Sequence, residues 1–203
     1  AILTYKGTID ALTEEAFPDD LLYSTHHLHI GSYYLMSKLQ AGLPDIARRA
    51  KGAGMSISMD TNWDPEEKWG IVESLLPYVD VLLPNEQELR ALGGEEFLRK
   101  HVPLIIVKEG AEGARAIDRS GTVIRAAAFP VPFVDAIGAG DSFDAGYICA
   151  WLEGRSVLDC LSIACACGSA NVMSRGGTAG QANREKVARM VAERGIEFGQ
   201  VPL

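Results

Sequence analysis

Apolar and polar positions along the chain recur with two periods, and their alternation predicts a succession of strands and helices. Ala1–Tyr5 reads as a strand, and Leu12–Phe17 as a short helix closed by Pro18. Leu28–Gly31 is a short buried strand running into a Gly-Ser turn. Tyr33–Gln40 and Pro44–Lys51 have helical spacing, and Pro44 suits a first helical turn. Met55–Met59 is the next strand, Trp69–Tyr78 an amphipathic helix, and Val79–Leu83 an apolar strand closed by Pro84. Asn85 caps a helix through Leu92 that stops at Gly93-Gly94.

Pro103–Lys108 is almost continuously apolar, as expected of a strand with both sheet faces covered. Ala114–Asp118 and Thr122–Ala126 predict a hairpin around Ser120-Gly121. Three helices follow: one through about Trp151, one over Val157–Met173, and a charged one over Arg184–Arg194 after the loop Arg175–Gly180. The alternation predicts an α/β fold, a mostly parallel central sheet with helices on both faces. No repeat or linker interrupts it. In such folds ligands collect beyond the C-terminal ends of strands. Asp60, Asn62, Asn85, Glu88, Lys108 and Asp141 all fall just after predicted strands.

The 203 residues are 47% hydrophobic and 23% charged, enough for a sizeable core. A formal charge of -8 with no Lys/Arg cluster argues against a nucleic-acid partner. Any bound anion must therefore be held locally, by backbone amides, a few cations or a metal. No signal peptide and no apolar run long enough for a bilayer is seen, so no membrane partner and a cytoplasmic location are expected. Cys149, Cys160, Cys165 and Cys167 lie in helical segments, and a Cys-x-Cys pair on a helix does not aim both thiols one way; they read as small buried thiols. The chain opens on a strand without an initiator Met, which suggests that an N-terminal portion precedes it.

The most informative stretch is Val134–Tyr147, where a strand-like run ends in a glycine-rich turn and a helix begins. The backbone N–H groups of Gly138, Ala139 and Gly140 could approach a ligand closely at a helix N-terminus that favours anions. A carboxylate at Asp141 would repel that anion unless it has a task, such as taking a proton from an attacking hydroxyl. The alternative is a helix-capping Asp. Phe143 stands where a dinucleotide fingerprint needs its third glycine, which disfavours a nicotinamide site, and no P-loop motif occurs. Asn85 and Glu88 stand one turn apart on one helix face, where a cap with a solvated Glu is the bland reading. His27 and His29 share one strand face; a half-exposed strand flank is preferred over a metal cluster with His26.

Asp135-Ala-Ile-Gly-Ala-Gly-Asp-Ser-Phe-Asp-Ala-Gly146 closely resembles the C-terminal signature of the ribokinase-like, or PfkB, carbohydrate kinases. Asn85-Glu-Gln-Glu88 is similar to the family's Asn-x-x-Glu, Lys108–Gly113 to its turn along the nucleotide, and Ser174–Thr178 to its late loop. The resemblance implies a C-terminal part, residues 1–203, of a single ribokinase-like domain. It implies Asp141 as catalytic base and the amides of Gly138, Ala139 and Gly140 as anion hole. Asn85 and Glu88 would organise Mg²⁺ and its waters. Lys108, Gly110 and Gly113 would border the nucleotide, and Cys165 and Gly168 the adenine pocket, with core packing as the alternative for the last two. Backbone carbonyls of Asp135 and Ile137, with the Val172–Gly177 loop, would bind a monovalent cation such as K⁺.

Asp60 and Asn62 fall on the substrate side, but Asp64 stands where relatives often carry Arg in Asp-x-Asn-x-Arg, so a cation is lost. The family's first glycine-rich signature, most sugar contacts and the β-sheet lid, through which a homodimer is expected, have no counterpart in the sequence. The implied activity is transfer of the γ-phosphoryl of ATP to a sugar hydroxyl. Alternatives are a nucleoside kinase of the same fold, a regulatory protein that binds nucleotide or sugar without turnover, and a nicotinamide-dependent enzyme.

Overall fold

A computed structural model describes residues 7–69 and 72–198. Six strands form one sheet in chain order: β1 (His27–Gly31), β2 (Ser56–Asp60), β3 (Val81–Leu82), β4 (Leu104–Lys108), β5 (Ala114–Asp118) and β6 (Val123–Ala126). β1 to β4 pair in parallel, with Gly31 opposite Asp60, Met59 opposite Leu82 and Leu82 opposite Ile105. β5 and β6 follow across connections far too short for a parallel crossover, so they return antiparallel. Consecutive β2 residues Ile57, Ser58 and Met59 are all fully buried. Successive side chains point to opposite faces, so both faces of that strand are covered. Three of the four residues of β6 are exposed, as befits an edge.

Among the described residues, seven α-helices flank the sheet: α1 (Asp19–Tyr23), α2 (Leu43–Gly52), α3 (Glu86–Ala91), α4 (Gly94–His101), α5 (Ala139–Leu152), α6 (Val157–Asn171) and α7 (Arg184–Ala192). The chain divides into two compact units, Ala1–Ile106 with Ile117–Thr122, and Val107–Ala116 with Val123–Leu203. In the first, Ile46, Ala47 and Ala50 of α2 are fully buried with Ile57, Met59 and Leu82. In the second, α5 and α6 pack face to face, and Gly146 makes this possible: a Cβ there would lie 2.6 Å from Cys167 Sγ.

Four expectations change. The described residues of the expected Trp69–Tyr78 helix form none: Val72–Ser74 and Leu76–Tyr78 are 3₁₀ turns. Trp69 has φ +51, and Pro77 supplies no N–H, so no α-helix can run through them. Tyr33–Gln40 shortens to a 3₁₀ turn over Tyr33–Leu35, whose Tyr33 O accepts from both Met36 N–H (3.2 Å) and Gln40 Nε2 (3.0 Å). Leu12–Phe17 likewise reduces to Glu14–Ala16. Beyond Gly93, α4 is an additional helix; only Leu98 on it is buried, too little apolar face to mark it in the sequence. The Ala1–Tyr5 strand lies outside the described residues.

Candidate active site

In the second unit, β4 ends at Lys108 and the chain turns through Glu109–Gly113, closed by Glu109 N–H donating to Gly113 O (2.8 Å). Gly113 has φ +107, and a Cβ there would lie 2.1 Å from Ala126 O. Only glycine fits this backbone position. The segment Val134–Gly138 then leads into α5. Val134 and Asp135 N–H donate to Val172 O (2.8 and 3.2 Å), and the Asp135 carboxylate accepts from Ile137 N–H (3.1 Å) and Gly176 N–H (2.9 Å). Those donors, Gly176 first, hold the Asp135 carboxyl below its usual range. Gly138 takes φ +73, and a Cβ there would stand 2.5 Å from Gly177 O. The two loops thus touch backbone to backbone.

Gly138 is the N-cap of α5, so Ala139, Gly140 and Asp141 form its first turn. Ala139 N–H donates to Ala136 O (3.2 Å), while the first helical bond runs from Ser142 N–H to Gly138 O (3.0 Å). The amides of Gly140 and Asp141 precede that bond and have no partner within the helix, which leaves the helix head suited to an anion. Asp141 is exposed in this first turn.

A cleft of about 460 Å³ opens beside this head. Lys108, Gly110, Gly113, Cys165 and Gly168, the five residues expected at the nucleotide, all line it, as do Ala139 and Gly140. Phe129, Phe133, Phe143 and Val172 supply apolar wall. Burial pushes the Cys165 thiol up to about 12, so it is an inert part of that wall. Asp141 lines a separate hollow of about 260 Å³ with Ser142, Gly146 and Arg184.

Sequence reasoning overlooked Asp144. Lys108 Nζ donates to both of its carboxylate oxygens (3.1 and 3.2 Å), and the side chains are only 13% and 5% exposed. A buried ion pair therefore fixes the ammonium at the cleft wall, beside Gly140, whose Cβ position would be 3.8 Å from Nζ. The available signal was a lone carboxylate within an otherwise apolar stretch of α5, one turn beyond Asp141. Ile137 O accepts from Asn171 Nδ2 (2.7 Å), and the same amide's Oδ1 is buried with no hydrogen-bond partner among the described residues.

Asn85, Glu88, Asp60 and Asn62 belong to the first unit. Asn85 Oδ1 accepts from Gln87 and Glu88 N–H (2.8 and 2.9 Å), and Glu88 Oε2 accepts from Asn85 N–H (2.8 Å). This capping box buries Glu88 to 5% exposure. Asp60 accepts from Asn62 N–H (3.0 Å), and Asn62 Oδ1 accepts from Ser32 N–H (2.7 Å). Asp64 accepts from the N–H groups of Glu66, Lys68 and Trp69 (2.9, 2.7 and 3.0 Å). Burial pushes its carboxyl up, but the three amides outweigh burial and hold it below the usual range. Asp64 thus organises its own loop where relatives were expected to place a cation. His27 lies between Ser56 Oγ (2.8 Å) and Ser58 Oγ (2.9 Å), and His29 against Ser58 Oγ (2.8 Å), a ladder along β1 and β2. Among the described residues, no group of three or more His, Cys, Asp or Glu could hold a metal, and no helix is long and apolar enough to cross a membrane.

The fold and the glycine-lined cleft define a ribokinase-type α/β protein, and the model of the pfkB family carbohydrate kinases matches residues 1–184. The chain belongs to that family. It is 31% identical over 202 residues to the ATP-dependent ribose-1-phosphate kinase of Halopiger xanaduensis, covering 96% of this chain and 64% of that protein. It is 29% identical over 172 residues to a ribokinase of Arabidopsis thaliana, covering 75% and 45%. Among solved structures, ribokinase from Thermotoga maritima superposes with a TM-score of 0.78 at 24% identity, over 95% of this chain and 65% of that one. A ribokinase II from E. coli, solved with ATP and Mg²⁺, gives 0.81 at 24% identity over 90% and 64%. The chain therefore spans less than two thirds of the length of these relatives.

Proposed function

We propose that this chain belongs to an ATP-dependent sugar kinase and carries its nucleotide-binding and catalytic groups. One observation carries the reading: the five residues expected at the nucleotide converge on one cleft, and that cleft ends at the amide-bearing head of α5. The relatives' names, ribose-1-phosphate kinase and ribokinase, support a sugar as acceptor.

In this reading the triphosphate lies along Lys108–Gly113 and its γ-phosphoryl meets the first turn of α5. Asp141 takes the proton of the sugar hydroxyl as that oxygen attacks phosphorus and ADP leaves. The amides at the helix head stabilise the charge on the transferred group; losing one such donor typically costs about 10²–10³ in rate. Lys108, held by Asp144, adds a fixed positive charge at the cleft. Asn85 and Glu88 are proposed to organise Mg²⁺ through its water shell: their oxygens are of the hard kind, the capping box fixes them, and this ion keeps most of its waters. The chemistry such an ion would supply is neutralisation of phosphate charge. The carbonyls of Asp135 and Ile137 are proposed for a monovalent cation; the partnerless Asn171 Oδ1 beside Ile137 O is an oxygen of the right kind.

The test is Asp141→Asn, assayed by ADP release with a sugar panel and by calorimetric nucleotide binding. Turnover is expected to fall by about 10²–10⁴-fold, with nucleotide binding retained. Undiminished turnover would overturn the assignment.

A further inference from the structure

The cleft in the second unit offers almost nothing with which to read a nucleobase by hydrogen bonds. Of its described lining side chains, only Lys108, Cys165 and Ser169 carry a polar atom, and each has an internal partner, which leaves the Ser169 hydroxyl proton as the one side-chain donor not spent on it. Lys108 is held by Asp144, Cys165 Sγ donates to Ala126 O (3.7 Å), and Ser169 Oγ accepts from Phe129 N–H (3.1 Å). The backbone of the wall is occupied from behind as well. Arg194 donates to Ala127 O (2.7 Å) and Ala128 O (2.9 Å), and its guanidinium lies 3.6 Å over the Phe129 ring. Ala126 O, Ala127 O, Ala128 O and Phe129 N–H thus all have internal partners, and the side chains that line the cleft are mainly carbon.

From this we infer that the cleft accepts the base of its nucleotide by shape and stacking, so that purine and pyrimidine triphosphates all serve as phosphoryl donors. The inference rests on the kinase reading above and extends it to donor specificity. Its physical basis is an asymmetry. A site built to hydrogen-bond its ligand rejects an analogue by about 10⁴–10⁵, whereas an apolar pocket separates similar ligands by only about 10–200-fold. Stacking on aromatic rings is tolerant of base identity, because every base has a π-face. Arg194 becomes a positioning residue. It reaches from just beyond α7 to hold the Ala127–Phe129 wall in place.

The experiment measures binding of ADP, GDP, CDP and UDP to the intact protein by calorimetry with Mg²⁺, and kcat/KM for the four triphosphates. The four affinities should fall within about 100-fold of one another, purines ahead through their larger stacking area. Phe133→Ala, at a lining side chain that is 71% exposed and so dispensable for folding, should weaken all four together by roughly tenfold. A preference above about 1,000-fold for one base, or a Phe133→Ala loss confined to one base, would overturn this inference and leave the kinase reading intact. Failure of all four to bind would overturn both.

Discussion

The turn into α5 reaches left-handed backbone at Gly138 (φ +73), whereas the corner after β2 reaches it at Asn62, Glu67 and Trp69 (φ +54, +52 and +51), with Ser32 (φ +55) bonded to Asn62. Glycine adopts such φ at no steric cost, and at Gly113 and Gly138 it also admits a backbone that a Cβ would strike. The corner has side chains at those angles, each costing about 1–2 kcal/mol, and holds them with carboxylates: Asp60 against Asn62, Asp64 against three amides. One region is shaped by absent side chains and the other by bonds to specific ones, so they should fail differently. Steric substitution should break the first, and loss of charge the second.

The largest effect is expected at Gly113→Ala. Its Cβ would fall 2.1 Å from Ala126 O and 2.6 Å from Ala128 N, both backbone atoms that cannot swing aside. Loss of about 4 kcal/mol or more is expected, read as a collapse of soluble, cooperatively melting protein. A melting curve like that of the parent would show that the turn is pliable and remove the contrast. Next comes Asp144→Asn, which leaves the buried Lys108 without its counter-charge. Breaking one side of such a pair costs about 3–5 kcal/mol. Lys108→Gln with Asp144→Asn should recover part of that loss in a chemical-denaturation series, because the two substitutions act on one pair. Strictly additive losses would show that the pair is not coupled.

The glycine turn and its acid were legible in the sequence because their signal is local: small residues, then Asp141, at the start of a helix. The central strands were legible for the same reason, since Leu104–Val107 is apolar without a break. The Lys108–Asp144 pair was not, because its partners stand 36 residues apart and meet only when β4 and α5 are in place. Arg194 was read as part of a charged surface helix; nothing in its neighbours announces that it turns back onto Ala127 and Ala128. The sequence after β2 reads as leading into a helix at Trp69, because left-handed angles at non-glycine residues leave no compositional mark. Asp64 was noticed for the cation it replaces, while its work as an acceptor depends on a loop path that only the fold supplies.

A smaller effect is expected at Asp64→Asn, where one amide oxygen must replace a carboxylate that accepts three N–H bonds. The cost should be about 1–3 kcal/mol at neutral pH. The folded Asp64 carboxyl titrates below its ordinary value. Its stabilising contribution is therefore complete above the unfolded pKa, about 3.9, and disappears as pH falls through the lower folded value. Denaturation at pH 7 and at about pH 3 should accordingly show a wide gap between parent and variant at the first and a narrow one at the second. A gap independent of pH would assign the loss to shape and not to charge.

The smallest and most discriminating change runs the other way. Glu67 is exposed and holds φ +52, and its N–H donates to Asp64 O (3.1 Å). Glu67→Gly keeps that bond, since it belongs to the backbone. It releases about 1–2 kcal/mol of left-handed strain against about 0.5–1 kcal/mol of added chain entropy. The net gain, about 0–1.5 kcal/mol, should raise the melting temperature by roughly 2 °C. The same substitution logic applied to Gly113 predicts collapse, so the pair of variants sets the two regions against each other. If Glu67→Gly lowers the melting temperature, the left-handed angle is supported by the glutamate side chain itself, and the corner is not a strained loop held by Asp64.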